Sequence, residues 1–148
     1  MKKIIFTILF ASAVLFAAAQ KAEKEAVKVP AAVESKFQKD FPSAQNAKWE
    51  KEDGNYEVNF KADNATMSAV YDKDGYRNEV ETEIAPDQLP PSALDYIHKN
   101  LSGVRIMGGS KIVNSKGVVT YEAELDKGGK KSSLLFDAGG KYMKEEKD

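Results

Sequence analysis

Two stretches of this chain carry the same order of apolar, aromatic and turn-forming residues, and that duplication restricts the fold more than any single motif. The first opens on Val29-Pro30 and continues through Ala31, Val33, Phe37 and Phe41; the second opens on Leu89-Pro90 and continues through Ala93, Leu94, Ile97 and Leu101. Further on, Tyr56-Glu57-Val58 matches Tyr121-Glu122-Ala123, and Tyr71-Asp72-Lys73-Asp74-Gly75 matches Phe136-Asp137-Ala138-Gly139-Gly140. The offset grows from 60 to 65 residues, which puts a small insertion near the first turn of the second stretch. We therefore read residues 29–86 and 87–148 as two repeat units within one compact domain, since the length suits one domain or two halves fused around a shared core.

Each unit opens on a helix. Pro30 sits where a first-turn proline loses nothing, because its missing N–H would be unpaired there anyway. Val33, Phe37 and Phe41 recur every four residues on one face, and Pro42 stops the helix. In the second unit Pro90 and Pro91 open, Ala93, Leu94, Ile97 and Leu101 form the stripe, and Gly103 suits a C-terminal stop. Strands follow. A short one lies around Trp49; Tyr56, Val58 and Phe60 alternate with Glu57 and Asn59; a third covers about 66–71. Asp72-Lys73-Asp74-Gly75 is a hairpin turn, and a fourth strand covers about 76–84. The second unit repeats the series with Ile112 near its first strand. Val119, Tyr121, Ala123 and Leu125 then alternate with polar residues, and 131–137 pairs with a last strand through Tyr142 across Ala138-Gly139-Gly140. The expected fold is α+β: two tandem helix-plus-antiparallel-strands repeats sharing one continuous antiparallel sheet, helices on one face.

The N-terminus addresses the chain outside the cytoplasm. Lys2 and Lys3 precede an apolar run at 4–16, and Ala17, Ala18 and Ala19 offer the small residues a signal peptidase needs. Residues 1–19 read as a signal peptide, and the run is shorter than the ~20 apolar residues of a spanning helix. Residues 20–28 (QKAEKEAVK) read as a flexible leader, and the tail at 144–148 as similarly solvated. Periplasmic or secreted localisation follows, with no stable membrane insertion after cleavage. The chain has no cysteine, which excludes a lipobox, disulfides, thiol catalysis and cysteine-ligated metals. Net charge is −1, and removing the two signal lysines leaves 20 basic against 23 acidic side chains. A nucleic-acid binder would show a strong basic excess instead.

No constellation for catalysis emerges. Asp72-Lys73-Asp74-Gly75 resembles the start of a calcium loop, but the twelfth position is Glu83, inside an expected strand. His98 is the sole histidine and lies on or near the polar side of its helix, without a cysteine or serine partner. Ser92, Ser132 and Ser133 have no evident base, and neither a phosphate loop nor a zinc-binding histidine pair occurs. We expect no enzyme, no cofactor and no metal site. The single Trp49 reads as core beneath the neighbouring helix.

The glutamates are the remaining chemistry. If Tyr56, Val58, Phe60, Val80, Ile84, Tyr121, Ala123 and Leu125 face the helices, alternation sends Glu57, Glu79, Glu81, Glu83, Glu122 and Glu124 to the other face. Two helices cover one face only, so the opposite face would be open and acidic, with Asn59, Ser68, Thr120 and Ser133 interspersed. Any open face needs polar residues, and an acidic one also suits docking of a basic or cationic protein partner. The alternative is a small-ligand or cation binder using Glu79, Glu81 and Glu83.

Taken in order, Val29-Pro30, Phe41-Pro42-x-Ala44, Trp49, Tyr56-Glu57-Val58, Asp72-x-x-Gly75, Leu89-Pro90, Ile97, Tyr121-Glu122 and Phe136-Asp137-x-x-Gly140 carry a family pattern. It resembles the PepSY-like, beta-lactamase-inhibitor-like family of small secreted bacterial proteins and covers about residues 29–142. The resemblance implies tandem units on one continuous sheet and a role in binding or inhibiting other proteins, such as a secreted or periplasmic enzyme. The chain lacks the disulfides of the beta-lactamase inhibitory protein, so inhibition of that enzyme does not carry over.

Overall fold

A computed structural model describes residues 27–147, Glu52 and Lys147 by their backbone alone. The signal-peptide segment 1–19 and leader residues 20–26 lie outside the described residues. Helix α1 (Ala31–Asp40) begins after an extended Pro30, whose carbonyl accepts the amides of Val33 and Glu34 at 3.0 and 3.1 Å. It ends at Phe41, because the residue before a proline is pushed out of the helical region. Four strands follow: β1 (Gln45–Glu52), β2 (Asn55–Ala62), β3 (Ala65–Tyr71) and β4 (Arg77–Ile84). A short 3-10 turn (Pro86–Gln88) leads to α2 (Pro91–Asn100), then to β5 (Arg105–Asn114), β6 (Val119–Lys127), β7 (Lys130–Asp137) and β8 (Tyr142–Lys147). The eight strands form one antiparallel sheet in chain order, and the α2 crossover lies between the paired strands β4 and β5.

Both helices lie on the same face. Val33 and Phe37 of α1 pack with Tyr56, Val58, Phe60, Ala69 and Tyr71, and Val80 joins that cluster. Ala93 and Ile97 of α2 pack with Ala123, Leu125, Leu134 and Phe136, and Ile84 joins them. Val80 and Ile84 are four residues apart on one strand and so share a side, which places both clusters on one face of the sheet. The cross-strand row Ile84, Gly109, Ala123, Leu134 shows why Gly109 is small: a Cβ there would meet Leu89 Cδ2 at 3.1 Å. Trp49 is half-buried against Phe37, ring centroids 5.4 Å apart, as core packing predicts.

The Asp72 turn proves to be a main-chain staple. Asp72 Oδ1 accepts the amides of Asp74 and Tyr76, both at 2.9 Å, and Asp137 Oδ1 accepts those of Gly139 and Lys141 at the same distances. Asn114 Oδ1 holds the β5–β6 turn in the same way, from Lys116 and Val118. This is the self-bonding that suits Asp and Asn to turns. Each helix N-terminus rests on one of these hairpins. Gly75 lies under Ala32, and Gly140 lies under Pro90 and Ser92, whose hydroxyl donates to the Gly139 carbonyl.

Two readings of the chain ends change. Val27, assigned to the leader, packs against the α1 cluster. The tail is no loose end up to Lys147: β8 pairs with β7 from Phe136↔Tyr142 to Ser132↔Lys147. An edge strand needs main-chain partners on one side only, so charged residues such as Lys144, Glu145 and Glu146 serve there and guard the edge.

Candidate functional site: the uncovered sheet face

The strand register settles which side chains share the face opposite the helices. One row runs Lys48, Asn59, Ser68, Glu81, Ile112, Thr120, Asp137; beside it run Glu57, Val70, Glu79, Asn114 on one side and Glu83, Ser110, Glu122, Leu135 on the other. Glu124 lies in the next row, opposite Ser133. All six glutamates expected on this face are therefore there, and among the described residues no helix lies over it.

The face differs from a uniformly solvated acidic surface. Glu81 and Glu122 are buried, 7% and 6% exposed, together with Ser110 at 2%, Val70 at 5% and Ile112 at 8%. These positions occupy the central strands, where every side chain is flanked by residues of two neighbouring strands. Glu57, Glu79 and Glu124 are half-buried, and Glu83 is exposed. The site is thus a partly apolar floor of Val70 and Ile112 with carboxylates sunk in it.

Burial sets the charge state. Removal from water pushes the Glu81 carboxyl up to about 8, with the carboxylates of Glu122, Glu79 and Glu57 pushing the same way and a Ser110 hydrogen bond opposing them. Burial, then Glu122 and Glu57, pushes Glu79 up to about 7. A carboxyl that loses its hydration without gaining a cation keeps its proton. Near neutral pH the middle of the face is accordingly less anionic than its composition implies. Among the described residues no group of three carboxylate or histidine side chains is disposed to hold a metal ion.

Of the other polar candidates, Ser133 alone shares this face. His98 is exposed on α2, and Ser92 is spent on the Gly139 carbonyl. Ser133 lies on the uncovered face opposite Glu124, and its neighbour Ser132 on the helix face opposite Leu125. The contribution of Ser110 was not foreseen; its register opposite Glu83 and Glu122 appears only once β4, β5 and β6 are paired. Among the described residues no helix is long and apolar enough to cross a membrane.

No family model and no curated protein matches the chain. Solved structures share its fold. A DUF2874 family protein from Bacteroides uniformis superposes with a TM-score of 0.74 at 18% identity, covering 81% of this chain and 90% of that one. A presumed periplasmic protein from Bacteroides eggerthii gives 0.75 at 14% identity, covering 82% and 90%. A BLIP-like protein from Bacteroides fragilis gives 0.68 at 22% identity, covering 82% and 87%. At these identities the likeness establishes the fold.

Proposed function

We propose that this chain is an exported, non-catalytic protein-binding module that docks a cationic partner on the uncovered sheet face. Inhibition of a secreted or periplasmic enzyme by occlusion is the activity such a module would have. The observation that carries the reading is the face itself: carboxylates of Glu57, Glu79, Glu81, Glu83, Glu122 and Glu124 grouped around buried Val70 and Ile112. Polar groups rimming a small apolar centre are the usual anatomy of a docking patch. The N-terminal signal pattern supports export, and the names of the BLIP-like and periplasmic neighbours agree with it. The PepSY-like pattern belongs to the same proposal.

We further infer that the α1–β4 and α2–β8 stretches are two copies of one unit. Gly75 with φ +87° lies under Ala32, and Gly140 with φ +79° lies under Ser92, sixty positions beyond Ala32.

The docking reading is tested with exposed and half-buried positions, because a lysine replacing the buried Glu81 or Glu122 would threaten the fold itself. Mature protein is used to capture partners from periplasmic and culture fractions, beside a Glu79→Gln/Glu83→Gln variant and a helix-face control, Glu34→Gln. The proposal expects a partner that elutes with salt, binds the face variant about tenfold more weakly and ignores the control. Equal capture by all three removes the face from consideration.

A further inference from the structure

The sheet is open at both ends, and its two edges differ in what they offer a neighbour. β1 pairs only with β2 and β8 only with β7, so among the described residues no strand lies beyond either of them. The outer main-chain groups of such a strand are a template for another chain. In β1 the pairs with β2 run unbroken from Lys48↔Asn59 to Glu52↔Asn55, and the bulge lies before them, between Gln45 and Lys48. On the uncovered side β1 presents Lys48 and Glu50, both exposed. Between them, on the helix side, stands Trp49, half-buried against Phe37. A tryptophan left partly in water at the middle of an edge is surface that a neighbouring strand would cover.

β8 carries the same alternation, and the comparison is informative. Lys144 and Glu146 lie on the uncovered side and pair with each other along the strand, and Glu145 lies between them on the helix side. When two identical edges join antiparallel about a two-fold axis perpendicular to the sheet, the residue at the axis meets itself and its two neighbours exchange partners. For β8, bringing Lys144 opposite Glu146 sets Glu145 against Glu145. For β1, bringing Lys48 opposite Glu50 sets Trp49 against Trp49. An axis at Lys48, Glu50 or Lys51 would instead oppose like charges directly, which is destabilising. Within residues 48–51, then, one register alone matches opposite charges and covers the indole.

We propose that β1 is a self-association edge: two copies of this chain join antiparallel through β1, with Trp49 at the two-fold axis and Lys48 of each copy opposite Glu50 of the other. The axis stands perpendicular to the sheet, so both helix layers stay on one side and the two uncovered faces lie edge to edge. The contact is one strand wide, which makes the dimer weak and dependent on concentration. The pairing stands independently of what docks on the uncovered face.

Sedimentation of the mature chain at rising concentration, with Trp49 emission followed alongside, tests the proposal. It expects a monomer–dimer equilibrium in which emission moves to the blue as the two indoles cover each other. Lys48→Glu and Glu50→Lys, both at exposed positions, should each weaken the dimer about tenfold or more, because each change sets like charges opposite one another twice across the axis. Mixing the two variants should restore the dimer, since positions 48 and 50 of one copy then meet opposite charges on the other. A native chain that stays monomeric up to its solubility overturns the proposal. So does a dimer that ignores either reversal or is not restored by mixing, because its contact lies elsewhere. Species that keep growing beyond a dimer also overturn it, since they would mean head-to-tail joining of β1 to β8, which does not close.

Discussion

Single residues in this protein are constrained by contacts far away in the chain. Gly140 has φ +79°, and an added Cβ would lie 2.1 Å from Ser92 Oγ, 2.8 Å from Pro90 Cβ and 3.0 Å from the Ala93 amide nitrogen. Gly54 has nearly the same backbone, φ +85°, with nothing within 4 Å. Replacing each by alanine separates the two costs. Gly54→Ala should lose about 1 kcal/mol from the backbone alone, and Gly140→Ala several times that, because α2 must also move off its hairpin. Urea denaturation of both variants measures the difference. Glu81 carries a second prediction. Its folded value of about 8 lies above the ordinary 4.5, so the folded chain binds the proton more tightly than the unfolded one. That stabilisation is complete below about pH 4.5 and is lost as pH rises through about 8. Glu81→Gln keeps a neutral side chain throughout. It should match the native protein near pH 5 and exceed it by a few kcal/mol near pH 9, as read by denaturation at each pH.

Among the elements, α1 is fastened by one ring. Phe37 meets Phe41, Trp49, Phe60 and Tyr71 with centroid separations of 5.8, 5.4, 5.0 and 6.5 Å. Asp40, one helical turn from Phe37, accepts the Tyr71 hydroxyl at 3.2 Å and Arg77 Nη1 at 3.0 Å and pairs with Lys36. Burial first, and then the Asp40 charge, holds the Tyr71 hydroxyl protonated well beyond its usual range. Phe37→Ala should therefore cost about 3–5 kcal/mol and shift Trp49 emission to the red, because the indole loses the ring against which it packs. α2 has no comparable aromatic hub: Ile97 is its fully buried anchor, and the stacked Tyr96–Tyr142 pair, 4.7 Å apart, ties it to β8. Ile97→Ala should cost about 2–5 kcal/mol while leaving Trp49 emission of the folded protein unchanged.

At the scale of the whole molecule, six cross-strand pairs from Glu79↔Asn114 to Ile84↔Gly109 join the two helix-plus-four-strand stretches. Neither stretch can unfold without leaving β4 or β5 as an open edge, and loss of the first would also take Ile84 of β4 out of the α2 cluster. Unfolding should be a single transition. Trp49 fluorescence, which reports the first stretch, and far-ultraviolet circular dichroism, which reports both, should share one midpoint in urea, and Ile97→Ala should lower both midpoints together. Separate midpoints would mean that the β4–β5 seam does not couple the halves.

The sequence by itself determined the element order, the side of the sheet that takes the helices and the side that takes the glutamates. Those properties follow from short-range periodicity, four residues for Val33 and Phe37 and two for Tyr56, Val58 and Phe60. The same alternation placed Glu57, Glu79, Glu81, Glu83, Glu122 and Glu124 together without any knowledge of which strands pair. Tertiary structure alone decided how deep each of them lies. Glu79, Glu81 and Glu83 alternate identically along β4, yet only Glu81 is buried, between Ser68 of the preceding strand and Ile112 of β5, which reaches it only after the α2 crossover. Ser110 became part of the site by the same cross-strand register, and Val27 and the β8 residues beyond Tyr142 gained neighbours that no local pattern announces. Burial and charge state are properties of packing, and packing is set by residues that meet only once the chain has folded.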